Sequence, residues 1–415
     1  MDQIPLIPWL ESLPFWPEFL RADIVFFVLF AGFLALGLPP AAMTILTWLE
    51  RKVVARIQDR IGPNRAGPFG LLQAIADTIK MLTKEDITPD GADRIPFNIA
   101  PGLVAVSAVL VYAVIPFGPN IIGADLNIGV FYVMAVGSFG ILGILMAGWS
   151  SNNKYALLGA FRAVAQLVSY EIPMVISLIT VVVVAGSMST VDISRSQALG
   201  NYQFIYLISM PLTFLIFFIS GVAETGRSPF DLLEAESEII AGFHVEYTGL
   251  KFGLFMIGEY VHMFAVAMLT AILFLGGFGG PFVTFFEIEN EIIKAILGIG
   301  YFLSKTLIFV LIMMWFRGTL PRFRIDHLLD FGWKFLVPVS LINLVITILV
   351  VKLTQQADPT VGALAGPLGG IPFLQPILLL VTNLGLAYFA MEAIRAVARR
   401  NKDAVGLRAL ASIEN

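Results

Sequence analysis

Long apolar stretches alternate with short polar segments along most of this chain. A helix needs about 20 mostly apolar residues to cross a membrane. The pattern predicts membrane-spanning helices over residues 24–48, 98–117, 129–149, 164–187, 204–223, 254–277, 295–316, 335–353 and 372–394. The sequence therefore predicts an all-α integral membrane protein with about nine transmembrane helices.

The loop after the first predicted span contains a shorter apolar pattern. Between residues 71 and 82 the apolar positions fall on one helical face, and Asp77 and Lys80 lie off it. This segment of about a dozen residues is too short to cross a bilayer. We therefore predict an interfacial amphipathic helix, which either anchors the loop at the membrane surface or guides an amphiphilic ligand from lipid into the protein.

Composition supports a membrane protein and excludes several other classes. Apolar residues make up 58% of the chain and charged residues 13%, against about 45–50% and about 25% in a soluble domain. The net charge of -4 and the lack of a basic arm argue against a nucleic-acid partner. The chain has no cysteine and three scattered histidines, which exclude thiolate ligation of an iron–sulfur cluster and disfavour a metal site. We expect no cofactor bound by this chain alone and no catalytic or metal residues in it.

Basic residues concentrate in alternate loops and in the C-terminal tail. The opposite loops are nearly free of them, with Arg21, Arg195, Lys294 and Lys352 as the main exceptions. Cytoplasmic loops of membrane proteins carry an excess of Lys and Arg. The pattern therefore predicts that the N-terminus lies outside and the C-terminus lies in the cytoplasm.

Acidic residues gather in the third predicted cytoplasmic loop and within spans. Six acids and one Arg lie between residues 224 and 246, while Glu171 and Glu259 fall in or at the start of predicted spans. An ionisable group at membrane depth costs a few kcal/mol or more, so it is a functional candidate by default. Clustered carboxylates that cannot all ionise are suited to passing protons through water. A solvated acidic face and structural ion pairs are the alternatives, with Lys305 and Arg317 as expected partners.

Several longer motifs follow one another in a familiar order: Glu50-Arg51-Lys52, Arg60-Ile61-Gly62-Pro63-Asn64, Gly148-Trp149-Ser150-Ser151-Asn152, Ala223-Glu224-Thr225, Pro229-Phe230-Asp231-Leu232 and Trp315-Phe316-Arg317. With these motifs the chain resembles the quinone-site membrane subunit of respiratory complex I. That family comprises the H subunit of bacterial NADH–quinone oxidoreductase and the first mitochondrially encoded subunit of the mitochondrial enzyme. The resemblance runs from about residue 20 to about residue 355.

The resemblance implies a subunit of a proton-translocating NADH:quinone oxidoreductase in the bacterial inner membrane, without a complete active site of its own. Quinone would be the substrate, and FMN and iron–sulfur clusters would lie in partner subunits. The implied partners are the soluble quinone-site and iron–sulfur subunits, antiporter-like membrane subunits and membrane lipid. The chain would form the quinone entry tunnel and couple quinone reduction to proton translocation through carboxylates.

Two sets of residues match the segments that serve these roles in the family. The quinone entry and tunnel would include Arg51, Arg56, Arg60, Phe69, Asp77, Phe230 and Arg317. The proton relay would include Glu171, Glu224, Asp231, Glu234, Glu236, Glu238, Glu246 and Glu259.

The C-terminal region departs from the family pattern. Residues 1–355 would form the family's membrane domain with eight transmembrane helices, whereas residues 356–415 comprise a Gly/Pro-rich linker, an extra transmembrane helix and a basic tail. We expect a peripheral helix that contacts lipid or an accessory subunit.

Other functions remain open at this stage. The equivalent subunit of an energy-converting membrane hydrogenase is the nearest alternative. A stand-alone ion transporter would also explain intramembrane acids, although no internal repeat is visible in the sequence. A purely structural anchor is disfavoured by the cost of the intramembrane acids.

Overall fold

The computed structural model describes residues 32, 37–119, 121–197, 205–231, 241–280, 291–354 and 374–411. Within these ranges the regular structure is helical and contains no strand, apart from an isolated bridge between Gly118 and Ile121. The α-helices, in chain order, are α1 (Leu38–Ile57), α2 (Gln73–Thr83), α3 (Arg94–Leu110), α4 (Gly129–Ser150), α5 (Lys154–Ala185), α6 (Thr190–Ser196), α7 (Tyr206–Ser209), α8 (Pro211–Glu224), α9 (Gly249–Leu275), α10 (Glu291–Thr319), α11 (Ile325–Asp330), α12 (Val337–Thr354) and α13 (Leu374–Ala411).

Seven helical segments in the described ranges are long and apolar enough to cross a membrane. They are Arg94–Val114, Gly129–Ser150, Lys154–Ala185, Gly249–Leu275, Ile293–Thr319, Ile325–Thr354 and Leu374–Arg395. An eighth apolar helix, α8, is shorter, and α1 is described only from Leu38 onward. The all-α integral membrane fold is therefore confirmed, whereas the predicted count of nine spans is not.

Two helices extend well beyond the predicted boundaries of their spans. α1 continues to Ile57, past the predicted end at residue 48, and α5 begins at Lys154, before the predicted start at residue 164. The Asn153 side chain caps α5 by accepting a hydrogen bond from the Tyr155 N–H at 2.9 Å. Charged residues end the apolar stretch but do not end the helix, so the predicted boundaries were too short.

The fifth predicted span, 204–223, is interrupted at Met210 and Pro211. Within it, α7 ends at Ser209 and α8 starts with Pro211 at its first turn. Proline has no N–H to donate and is tolerated at the first helical position. The span therefore consists of two helices rather than one.

Two long helices organise the bundle. α9 packs against α1, α3 and α10, and α5 packs against α4, α8 and α12. Close approach of α9 to α3 depends on Gly258, where a Cβ atom would lie 2.9 Å from the Val104 side chain. The Tyr112 hydroxyl, just after α3, donates to the Val261 carbonyl of α9 at 2.6 Å. These contacts fix the face of α9 that carries Glu259.

The C-terminal helix α13 packs on α7, α8 and α12. Three buried polar side chains meet at this contact: Asn343 of α12 donates to the Thr213 hydroxyl of α8 at 2.8 Å, and that hydroxyl donates to Asn383 Oδ1 of α13 at 3.4 Å. Polar side chains that hydrogen-bond across membrane helices hold them together. The described part of α13 is thus joined to the bundle by a polar contact as well as by apolar packing.

We expect Asn383→Leu to weaken the docking of α13. An interhelical hydrogen bond in a membrane protein contributes about 0.6 kcal/mol on average and up to about 1.7 kcal/mol. The unfolding free energy in mild detergent should fall within that range. Thr382→Val is the matched control, since the Thr382 hydroxyl bonds carbonyls of its own helix. Equal effects of the two substitutions would contradict the interhelical role of Asn383.

Candidate functional site

Glu50 is a buried carboxylate near the end of α1, with 5% of its side chain exposed. α1 brings it there because the helix continues through Glu50-Arg51-Lys52 before it ends at Ile57. The Arg227 guanidinium donates to its carboxylate at 2.8 Å, and Arg317 of α10 also donates to it. Burying a charge is costly unless it is paired and hydrogen-bonded, and here two guanidinium groups share one carboxylate.

Arg227 connects this carboxylate to a second one. Its Nη2 lies 3.1 Å from Glu259 Oε1 of α9, and its guanidinium carbon lies 4.5 Å from the centre of the Tyr260 ring. The side chain of Arg227 is 4% exposed. Since water screens buried charges weakly, Glu50 and Glu259 are electrostatically coupled through one cation.

The loop that carries Arg227 is held in place by α5. The side-chain amide of Gln166 donates to the carbonyls of Ala223 and Phe230, at 2.8 and 2.7 Å. The Phe230 ring packs between Tyr170 and Phe323, with ring centres 5.3 and 5.8 Å away. Phe230 is therefore a buried packing residue in this structure, and its place in a quinone tunnel stays a prediction.

A cavity of about 920 Å³ opens beside Glu50, and we call it the charged cavity. Its lining comprises Glu50, Arg51, Val54, Arg60, Gly62, Pro63, Tyr260 and Arg317. The structure thus brings together three of the predicted quinone-entry residues: Arg51, Arg60 and Arg317. The predicted entry residue Arg56 is exposed on α1. Guanidinium groups and an aromatic edge suit the polar headgroup of an amphiphilic ligand.

Asp77 of α2 joins the interfacial helix to this cavity. Its carboxylate accepts a hydrogen bond from Arg51 at 2.6 Å, and Lys80 lies 3.5 Å away. Partial burial acts to raise the pKa of Asp77, but the hydrogen bond and charge of Arg51, with smaller effects from Gln73 and Lys80, hold that pKa below its ordinary value of 3.8. Asp77 is therefore ionised near neutral pH and keeps Arg51 oriented.

The predicted amphipathic helix is confirmed as α2. Its apolar side chains Ile75, Ile79 and Leu82 are exposed, as are Leu72 and Phe69 just before it. An outward apolar face next to a polar cavity suits a helix that lies at a membrane surface.

Three intramembrane acids line two further cavities. The first, the central cavity, has a volume of about 820 Å³, and its lining includes Glu224, Glu259, His244 and His262. The second, the inner cavity, has a volume of about 420 Å³, and its lining includes Glu171, Glu224 and His262. The predicted relay residues Glu171, Glu224 and Glu259 are thus placed along two adjoining spaces.

Two of these acids have a polar neighbour besides the contact of Glu259 with Arg227. Glu171 accepts a hydrogen bond from the Ser138 hydroxyl of α4 at 2.8 Å. Glu224 Oε1 lies 3.5 Å from His262 Nε2. The carboxylates therefore face groups that donate or accept protons, which is what a relay requires.

The other predicted relay residues occupy the edges of this arrangement. Asp231 pairs with Arg322 at 2.9 Å, and Glu246 accepts from Asn153 at 2.6 Å. Glu234, Glu236 and Glu238 lie outside the described residues.

The structure corrects the expected partners of the intramembrane acids. Lys305 donates instead to three backbone carbonyls, those of Leu275, Gly277 and Gly279, at 2.7, 2.9 and 2.6 Å. The last carbonyls of a helix lack intrahelical partners and favour a cation, so Lys305 caps the end of α9. Arg317 does pair with an acid, but that acid is Glu50.

Three important residues were absent from the predicted site: Glu50, Arg227 and His262. Each had a visible signal in the sequence. Glu50 opens the first charged motif, Arg227 is the one Arg in the acidic 224–246 segment, and His262 follows Glu259 by three residues. Residues three apart lie on the same helical face.

The fold and the site define an integral membrane protein with ionisable groups buried between its helices, next to an arginine-lined cavity at one end of the bundle. The sequence profile of the NADH dehydrogenase family matches residues 30–348. The chain belongs to this family.

Similar proteins are all H-type subunits of NADH-quinone oxidoreductase. The chain is 49% identical over 324 residues to the H subunit of Dehalococcoides mccartyi (strain CBDB1), covering 78% of this chain and 85% of that protein. It is 48% identical over 311 residues to the H 2 subunit of Syntrophobacter fumaroxidans, covering 73% and 89%. It is 45% identical over 337 residues to the H subunit of Thermomicrobium roseum, covering 77% and 94%. The predicted resemblance to the complex I subunit is confirmed.

We expect the contact between Arg51 and Asp77 to depend on pH. Because the folded-state pKa of Asp77 is lowered, the contact stabilises α2 above the ordinary value of 3.8 and is lost as the pH falls through the lower folded value. Hydrogen exchange of α2 in lipid nanodiscs should rise below about pH 4.

Asp77→Asn should remove this acid dependence. It should also raise the exchange of α2 at neutral pH a few-fold, as expected for a partly exposed pair worth at most about 1 kcal/mol. Asp90→Asn, in the exposed loop after α2, is the control. An unchanged acid dependence in Asp77→Asn would refute the role of this pair.

Proposed function

We propose that this chain is the membrane subunit of a proton-translocating NADH:quinone oxidoreductase that forms the quinone entry and couples quinone reduction to proton movement. The names of its relatives support this function over the equivalent hydrogenase subunit and over a stand-alone transporter. The observation that carries the proposal is Arg227, which contacts Glu50 at the charged cavity and Glu259 at the central cavity.

The proposed location is the bacterial inner membrane, with the charged cavity at the cytoplasmic side. Arg51, Arg60 and Arg322 cluster at this end, in agreement with the excess of basic residues in cytoplasmic loops. The N-terminus then lies outside and the C-terminus in the cytoplasm. Residues 356–415 are an addition to the family domain, with α13 docked on α8 and α12.

Quinone enters past α2, whose apolar face meets the lipid. Its headgroup passes Arg51, Arg60 and Arg317, while Tyr260 forms part of the same wall. The chain has no cysteine to hold an iron–sulfur cluster. Quinone is therefore reduced at a soluble partner subunit, and FMN and the clusters lie in such partners.

Charge at the charged cavity acts on the acids through Arg227. Two unit charges about 4 Å apart interact by about 4 kcal/mol at an effective dielectric constant of about 20. A change of that size alters a proton equilibrium by about three powers of ten. A charge that draws Arg227 towards Glu50 thus weakens its hold on Glu259 and changes the proton affinity there.

Protons then move between Glu259, Glu224 and Glu171 through the central and inner cavities. Asp231 and Glu246 extend the path at the loop side, together with Glu234, Glu236 and Glu238, towards antiporter-like membrane subunits. The role of this chain is to carry the electrostatic signal and the protons.

The test uses the assembly that co-purifies with a tagged copy of the chain, reconstituted into proteoliposomes. We expect NADH-dependent quinone reduction accompanied by a proton gradient. Glu259→Gln and Glu171→Gln should each lower proton translocation roughly tenfold or more, since a positioned proton-transfer group contributes about 10²-fold or more.

Glu392→Gln is the matched control, because Glu392 is exposed on α13 and pairs with Arg395 of the same helix. Wild-type rates and gradients in both the Glu259 and Glu171 variants would refute the relay. An assembly that contains nickel and evolves hydrogen would assign the chain to the hydrogenase branch instead.

A further inference from the structure

His262 occupies the boundary between the central and inner cavities. It lies on α9, one turn after Glu259, and its Nε2 is 3.5 Å from Glu224 Oε1. The lining of both cavities contains His262 and Glu224, whereas Glu259 lines the central cavity and Glu171 the inner one. A proton that moves between Glu259 and Glu171 therefore passes these two side chains.

The groups that face His262 are mostly acids. The α9 helix itself contributes Glu259, α8 contributes Glu224, and α5 contributes Glu171 across the inner cavity. The 3₁₀ turn Gly242–His244 contributes His244, whereas α3 and α4 contribute apolar residues, glycines and Ser107 to the two linings. His262 thus lies within hydrogen-bonding range of an acid and has further acids on either side.

We propose that His262 is a proton-transferring residue that connects the carboxylates of the two cavities. This inference rests on the proposed function and adds a residue to it. An imidazole ordinarily titrates near pH 6.5, and its two nitrogens allow it to accept a proton on one side and release one on the other. A carboxylate has neither property near neutral pH.

The transfer balances in two steps. A proton on Glu224 Oε1 moves to His262 Nε2, which leaves a carboxylate and an imidazolium. The imidazolium then releases its Nδ1 proton, which reaches the Glu171 carboxylate through water. The ring is left as the opposite neutral tautomer, and rotation of the ring or a transfer in the reverse direction restores it.

A merely structural histidine would serve as a packing residue or as a fixed cationic partner of Glu224. Two substitutions separate these roles from proton transfer. His262→Gln keeps a polar side chain but cannot exchange a proton. His262→Lys keeps a positive charge beside Glu224 but does not ordinarily titrate near neutral pH.

The test compares these variants with wild type in the reconstituted complex, after subunit content has confirmed assembly. Proton translocation and NADH:quinone reduction are measured from about pH 5.5 to about pH 8.5, a window that brackets the ordinary imidazole pKa. We expect both variants to translocate protons roughly tenfold more slowly and to lose the inflection near neutral pH. His327→Gln, an exposed histidine on α11, should behave as wild type.

The outcomes are distinct. If wild type reduces no quinone and builds no gradient, the proposed function fails. If wild type pumps and Glu259→Gln does not, but His262→Gln keeps the wild-type rate and pH profile, only the role of His262 is refuted. If His262→Lys restores pumping that His262→Gln loses, His262 is a fixed cation and not a proton carrier.

Discussion

The rest of the site depends on one buried cation shared by two carboxylates. Arg227 reaches Glu50 of α1 on one side and Glu259 of α9 on the other, and almost none of its side chain is exposed. Removing one member of a buried ion pair costs about 3–5 kcal/mol, because the remaining charge is left without compensation. This cost explains why the loop around Arg227 is fixed so firmly, by Gln166 beneath it and by Phe230 packed against Tyr170.

The same contact sets the division of the site into polar and intramembrane parts. Glu50 and Arg317 belong to the wall of the charged cavity, while Glu259 belongs to the wall of the central cavity. α9 serves both, because Tyr260 faces the first and Glu259 and His262 face the second. The packing of α9 on α1, α3 and α10 therefore determines how far apart an amphiphile in one cavity and the acids of the other can be.

Features that depend on local pattern could be predicted from the sequence. The span predicted at 129–149 matches Gly129–Ser150, since apolar length alone decides it, and the amphipathic pattern at 71–82 corresponds to the helix Gln73–Thr83. Helix ends among charged residues were missed at Ile57 and Lys154, because loss of hydropathy was taken for loss of helix. The break at Pro211 could have been predicted from the missing N–H.

Partners could not be predicted, because they are set by packing between distant segments. Lys305 was expected beside an acid, yet the end of α9 supplies carbonyls that receive it. Arg227 is one base in an acidic loop, and nothing local shows that it contacts α1 and α9 at once. Single acids within apolar stretches were recognisable, since their cost in a membrane makes each of them informative.

The central claim is that Arg227 transmits charge from the quinone side to the intramembrane acids. The most direct measurement is the infrared difference spectrum of the reconstituted complex upon quinone reduction, in wild type and in Arg227→Lys. Lysine keeps the positive charge but lacks the planar fork that reaches two carboxylates at once. The account predicts a redox-linked change in carboxyl protonation in wild type that is lost or strongly reduced in Arg227→Lys and in Glu259→Gln. An identical carboxyl signal in wild type and both variants would contradict it.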